Sequence, residues 1–172
     1  MNKGILLVLS GYLMWGCFPL YWALLNHVNP SEVLIHRMLW AVPVLFLLVH
    51  FKSSWKNNFK ASISSKKELV FLFITAILIT INWGGYIYAV NLGRVVEASM
   101  GYFLSPVINM IGGYIFFQER ISKLKQLAVF LATVGALYYV FSGDSFPWLG
   151  FLVGFTFSAY GIARKAMASS AV

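Results

Sequence analysis

The chain has 172 residues, of which 60 % are hydrophobic and only 10 % are charged. Soluble domains carry about 25 % charged residues, so this composition excludes a soluble domain with an ordinary water-facing surface. The formal net charge is +8, but the basic residues lie between apolar runs rather than along one face, which argues against a nucleic-acid-binding protein.

Apolar runs long enough, or nearly long enough, to cross a membrane follow one another at residues 4–25, 33–51, 69–91, 97–117, 123–141 and 146–163. A hydrocarbon layer about 30 Å thick needs roughly 20 helical residues, and lipid offers backbone amides no partner outside a helix. We therefore predict an all-α membrane protein with about six transmembrane helices, surrounded by membrane lipid.

The first run is longer than a signal-peptide core and lacks a clear cleavage site, so we interpret it as a retained helix. It contains the only cysteine, Cys17, which excludes an intrachain disulfide. Pro106 in the fourth run removes a backbone donor and can kink its helix, and Pro19 and Pro43 make comparable breaks in the first and second runs.

The second run begins with the sequence EVLIHRMLW, which places His36 and Arg37 just inside the membrane. Arg37 lies five residues beyond Glu32, about 7.5 Å along a helix axis. The turn between the third and fourth runs adds Arg94 and Glu97 at the same predicted mouth. These residues form either an ion-pair cluster that anchors helix ends or a partly positive vestibule for an anionic or zwitterionic solute. Glu97 is the predicted partner of Arg37.

The third run carries Asn82 near mid-membrane and Asn91 near its end. An amide facing lipid would leave its donors and acceptor unsatisfied, so Asn82 should face protein or water. It either makes an interhelical hydrogen bond or orients a solute. The neighbouring Trp83 and Tyr86 belong either to ordinary helix packing or to an aromatic pocket for flat or cationic solutes.

The fourth run adds Tyr102 and Asn109 beside Pro106. Interrupted helices surround solute sites in transporters but also occur as inert packing features. Gly150 and Gly154 in the last run have the spacing of a close-packing face. The candidates for solute binding or gating are therefore His36, Arg37, Asn82, Trp83, Tyr86, Asn91, Glu97, Tyr102 and Asn109.

The distribution of basic residues predicts a fixed orientation. Eleven of the 13 lysines and arginines fall on the side of the N-terminus, and only Arg37 and Arg94 fall on the other. Since lysine and arginine favour the cytoplasmic side, both termini should be cytoplasmic. The imbalance argues against a small transporter that inserts in both orientations.

Motifs of catalysis or metal binding, such as His-Glu-x-x-His, Gly-x-Ser-x-Gly or a P-loop, are not found in the sequence. We therefore predict that the protein is not an enzyme and needs neither a cofactor nor a metal ion. Its expected partners are membrane lipid and a small-molecule solute rather than nucleic acid.

The quoted stretches also resemble a known family. The stretches concerned are KGILLVLSGYLMWGCFPLYW, EVLIHRMLW, KLKQLAVFLATVGALYYV, PWLGFLVGFTFSAYGIARK and, most specifically, NWGGYIYAVNLGRVVEASMGYFLSPVINMIGGYIFFQERIS. They are similar to the RarD-type branch of the EamA drug/metabolite transporters. The resemblance implies an inner-membrane permease of about ten helices in two inverted repeats around a central solute site. It places the first five-helix repeat at residues 4–141 and the first helix of the second repeat at 146–164.

The sequence stops about one helix into that second repeat, so we expect the chain to be a fragment of a permease that works by alternating access. The alternatives are a non-transporting membrane scaffold or packing subunit and an inactive truncated transporter. Self-association into a homo-oligomer is left open.

Overall fold

A computed structural model of the chain describes residues 3–51, 63, 65–143 and 145–169. This part of the chain is helical and contains no strand. The helices, in order, are α1 (Lys3–Gly16), α2 (Phe18–Leu24), α3 (Pro30–Phe51), α4 (Lys66–Asn91), α5 (Val95–Phe117), α6 (Lys123–Ser142) and α7 (Trp148–Ser169). The predicted all-α architecture is confirmed.

Five segments of the described chain are long and apolar enough to cross a membrane: Lys3–Leu24, which combines α1 and α2, and then α3, α4, α5 and α6. The sixth predicted segment also forms a helix, α7, which is 22 residues long but is not among the five. Lys52, Lys56 and Lys60, which contribute to the predicted orientation, lie outside the described residues.

The three prolines behave differently from one another. The first span is interrupted at Cys17, directly before the short helix that holds Pro19. Pro43 and Pro106, by contrast, lie inside α3 and α5, which continue past them. Neither proline therefore ends its helix, and a kink at either position stays a prediction.

Polar side chains fix the ends of several helices. The Ser65 hydroxyl accepts a hydrogen bond from the Glu68 amide at 3.2 Å and caps α4. The Ser122 hydroxyl caps α6 in the same way by accepting from the Lys125 amide at 3.4 Å. Gly93, with a φ of 73°, makes the turn between α4 and α5.

Helix α7 packs most extensively against α5 and then against α4. Gly101 of α5 faces Gly150 and Gly154 of α7 so closely that the two backbones touch. A Cβ atom on Gly154 would lie 2.7 Å from the Gly101 carbonyl oxygen, and one on Gly101 would lie 2.9 Å from the Gly154 nitrogen. The predicted close-packing face of the last run is therefore present, with small residues allowing helix contact as in other membrane proteins.

An ion pair joins the far end of α7 to the loop between α5 and α6. The Lys165 ammonium donates to the Glu119 carboxylate and lies 4.6 Å from the centre of the Phe117 ring. The hydrogen bond from Lys165 and its positive charge lower the pKa of Glu119 below its ordinary value.

This pair should give the protein an acid-sensitive stability component. Because the pKa of Glu119 is lower in the folded protein, the stabilisation is full above the ordinary pKa of 4.5 and is lost as the pH falls through the folded value. The effect should be small, since the pair is exposed to solvent. Thermal unfolding from about pH 6 to about pH 3 should show a weaker acid dependence in Glu119→Gln than in the parent protein. Equal acid dependence in Glu119→Gln and the parent protein would contradict the assignment.

Candidate functional site

A cavity of about 470 Å³ lies between the first span and helices α4, α5 and α7. We name it the central cavity; it is lined by Tyr12, Trp15, Gly16, Pro19, Tyr86, Ser99, Tyr102, Ser105, Pro106, Asn109 and Phe157. Helix α5 contributes residues three or four apart, which lie on one helix face. Among the described residues, those lining this cavity include no charged side chain.

Tyr102 is the centre of the aromatic wall of this cavity. Its ring centroid lies 5.5 Å from that of Trp15, 5.4 Å from that of Phe157 and 5.8 Å from that of Tyr86. The Trp15 and Phe157 rings meet Tyr102 edge to face, an arrangement that aromatic rings favour. The wall can therefore hold a flat solute against ring faces and edges, with hydroxyl groups nearby.

Asn82 lies behind this wall and is fully buried. Its amide nitrogen donates to the Val153 carbonyl at 2.7 Å and to the Thr156 hydroxyl at 3.2 Å. The Tyr102 hydroxyl donates to its amide oxygen at 3.4 Å. Asn82 does not line the central cavity, so the geometry favours the interhelical hydrogen bond over direct solute contact. It joins three helices and orients Tyr102.

Arg37 lies in a second, separate group of aromatic side chains. Its guanidinium carbon is 3.7 Å from the centre of the Trp83 ring and 5.6 Å from the centre of the Trp22 ring. Such cation–π contacts stabilise a cation that has lost part of its water. With His36 and Trp40, Arg37 also lines a cavity of about 400 Å³ between α2 and α3.

The predicted ion pair between Arg37 and Glu97 is wrong. The Glu97 carboxylate pairs with Arg94 at 2.6 Å, three residues earlier in the chain. Its other oxygen accepts a hydrogen bond from the Leu149 amide at 2.8 Å. This amide belongs to the first turn of α7, where a negative charge is favourable. Glu97 is 4 % exposed and thus holds the start of α7 against α5.

Glu97→Ala should reduce the free energy of unfolding by about 2–4 kcal/mol, because it removes a buried carboxylate with two partners and leaves Arg94 unpaired. Glu97→Gln should cost less, because its amide oxygen can still accept from the Leu149 amide. Thermal or denaturant unfolding in detergent measures both. Equal losses for glutamine and alanine would contradict the capping role, and no loss in either would contradict the ion pair as well.

The remaining candidates fall in different places. Asn91 donates from its amide nitrogen to the Asn26 carbonyl at 3.1 Å and so ties the loop after α2 to the end of α4. Tyr86, Tyr102 and Asn109 line the central cavity. Some of the predicted residues therefore line this cavity, others surround Arg37, and the rest hold helices together.

Sequence reasoning did not place Tyr12, Ser99, Ser105 or Phe157 in the site. A signal for two of them exists in α5, where Ser99, Tyr102, Ser105 and Asn109 recur at helical spacing in an otherwise apolar run. Tyr12 and Phe157 lack such a signal, because aromatic residues are common throughout these helices.

Comparison with known proteins points to one family. Residues 2–141 match the EamA-like transporter family. The chain is 36 % identical to an uncharacterized transporter, YojE, of Bacillus subtilis over 95 % of its own length and 56 % of the relative. It is 36 % identical to the protein RarD of Escherichia coli, over 99 % of the chain and 57 % of that protein.

A chloramphenicol-sensitive protein RarD of Pseudomonas aeruginosa is 30 % identical over 99 % of the chain and 58 % of the relative. The chain thus spans little more than half the length of these curated relatives. No solved structure matches.

Proposed function

The chain belongs to the EamA-like transporter family, as a RarD-type member, and we propose that it is part of a permease that binds a small organic solute inside the membrane and moves it by alternating access. The observation that carries this proposal is the central cavity, a space of about 470 Å³ with an aromatic wall and hydroxyl groups within a set of apolar helices. A scaffold or packing subunit would have no need for such a space.

The lining supports a flat, uncharged or weakly polar solute. Tyr102 and its ring neighbours offer apolar faces, while the hydroxyls of Ser99 and Ser105 and the Asn109 amide lie along the same side of α5. Because the lining residues described carry no charge, a strongly anionic solute would lose its hydration without gaining a partner. This differs from the anionic or zwitterionic solute expected from Arg37 and its neighbours in the sequence.

In this proposal the earlier candidates have distinct roles. Tyr86, Tyr102 and Asn109 contact the solute, and Asn82 positions Tyr102. His36, Arg37 and Trp83 would form a gate beside the central cavity, because the Arg37 guanidinium lies against the Trp83 ring and His36 and Arg37 line one further cavity. Asn91 and Glu97 hold the helix ends on that side.

Residues 4–141 would constitute the first repeat of the permease and 146–164 the start of the second. Both termini would face the cytoplasm. To test this orientation, Cys17 is replaced by serine and single cysteines are placed at His27 and Lys123. An impermeant maleimide on intact cells should label His27→Cys and not Lys123→Cys, and the reverse pattern would overturn the orientation.

The solute-binding proposal is tested with the purified chain in lipid nanodiscs, exposed to a mixed set of small organic solutes. Equilibrium dialysis with mass spectrometry identifies the solutes that bind, and proteoliposomes identify those that cross. We expect flat, uncharged solutes to bind and to compete with one another for one site. If no solute binds, or if bound solutes do not compete, the proposal fails.

A further inference from the structure

A groove between α5 and α6 adjoins the central cavity on the other side of α5. One part has a volume of about 550 Å³ and is lined by Val96, Ser99, Met100, Phe103, Leu131, Ala132, Gly135, Ala136 and Tyr139. A second part, of about 330 Å³, begins one helical turn further along, between Pro106 of α5 and Val129 of α6, and reaches the α5–α6 loop. Both parts lie between the same two antiparallel helices and follow one another along them; we name the two together the α5–α6 groove.

The first part of the groove is apolar and open. Its floor consists of the small residues Ala132, Gly135 and Ala136. A Cβ atom added to Gly135 would meet no other atom within 4 Å, so this surface is free to receive a ligand. Phe103 and Leu131 flank it and are 66 % and 60 % exposed.

The second part of the groove is basic. Arg120 and Lys125 line it, and Lys123 lies beside them at the start of α6. The acidic residue in its lining is Glu119, whose charge is already paired with Lys165. An excess of positive charge therefore lies where the two helices leave the apolar layer, and it complements an anionic group at the membrane surface.

The dimensions of the groove match one leaflet of a membrane. From Met110 to Val96, the lining of α5 extends about 21 Å along the helix axis. One leaflet contributes about 15 Å of hydrocarbon, so the groove can hold an acyl chain along its apolar part and a headgroup at its basic end.

We propose that the α5–α6 groove binds an anionic glycerophospholipid. Its phosphate contacts Arg120 and Lys125, and one acyl chain lies over Ala132, Gly135 and Ala136. Lipid is favoured over a second protein copy because the groove has a basic part next to an apolar part. A phospholipid has the matching arrangement, with an anionic headgroup next to its acyl chains. The groove and the central cavity share Ser99, Pro106 and Asn109 on α5, but Arg120, Lys125 and the small residues Ala132, Gly135 and Ala136 line only the groove.

The headgroup contact is tested by native mass spectrometry of the detergent-solubilised chain with phosphatidylglycerol or phosphatidylcholine. We expect tighter binding of phosphatidylglycerol. The double variant Arg120→Gln/Lys125→Gln should reduce this preference by about tenfold or more. Lys66→Gln/Lys67→Gln, which removes two exposed lysines at the start of α4, should leave it unchanged. No preference for the anionic lipid, or equal losses in both double variants, would overturn the proposal.

The acyl-chain contact is tested with Gly135→Leu, which fills the open floor of the groove. This variant should weaken phosphatidylglycerol binding without lowering the unfolding temperature. Gly11→Leu is its control, because Gly11 in α1 also has open space around it. If Gly135→Leu binds the lipid as tightly as the parent, or if inorganic phosphate alone binds as tightly as the lipid, the groove is not a lipid site. Capture of a second copy of the chain at this face would overturn the proposal as well.

Discussion

Gly101→Leu is expected to separate α5 from α7 and to lower the free energy of unfolding by about 3 kcal/mol or more. At Gly101 any side chain would collide with the backbone of Gly150 and Gly154 rather than with a flexible side chain. A backbone cannot move aside without shifting a whole helix, and α7 is held in place by Glu97 at its start and by Asn82 near its middle. The collision can therefore be relieved only by moving one helix away from the other.

Unfolding in detergent, followed by circular dichroism, measures the loss. Gly11→Leu is the matched control, because the same side chain enters open space there and should change stability little. If Gly101→Leu is as stable as the Gly11→Leu variant, then α5 and α7 do not pack through their glycine backbones.

Tyr102→Ala is expected to weaken binding of central-cavity solutes by about tenfold or more, since each lost aromatic contact contributes about 0.5–1.5 kcal/mol beyond the buried area. It removes the ring that Trp15, Tyr86 and Phe157 all contact. Tyr102→Phe should have a smaller effect, because it retains the ring and loses only the hydrogen bond to Asn82.

Equilibrium dialysis of the solutes found in the binding screen gives the dissociation constants. Tyr138→Ala serves as the control, because Tyr138 lies on α6, is 75 % exposed and does not line the cavity. Equal affinity in Tyr102→Ala and Tyr138→Ala would place the bound solutes elsewhere in the protein.

The positions of the helices could be predicted because the signal is local. Runs of apolar residues about 20 long must be helical in lipid. Hence α3, α4, α5 and α6 begin and end within about three residues of the predicted runs. The small-residue spacing at Gly150 and Gly154 was equally informative, although the sequence did not indicate Gly101 as their partner. Choosing that partner requires the arrangement of three helices in space.

The candidate site was only partly predictable for a related reason. Polar residues at membrane depth must find a partner, but the sequence does not say whether the partner is a solute or a neighbouring helix. The Asn82 amide donates hydrogen bonds to Val153 and Thr156, which lie more than 70 positions away in the chain. Arg37 contacts tryptophan rings instead of a carboxylate, because the Glu97 carboxylate is already paired with Arg94 and hydrogen-bonded to the start of α7.

The glycine contact between α5 and α7 also decides which part of the molecule can move. Two backbones in direct contact, with Glu97 and Asn82 fastening them, must travel as a single rigid body. Helix α1 is the opposite case: none of its residues is buried, and it is separated from α2 by the interruption at Cys17. In the proposed transport cycle, opening and closing of the space around Tyr102 would therefore fall to α1, the part of the first span that holds no buried residue.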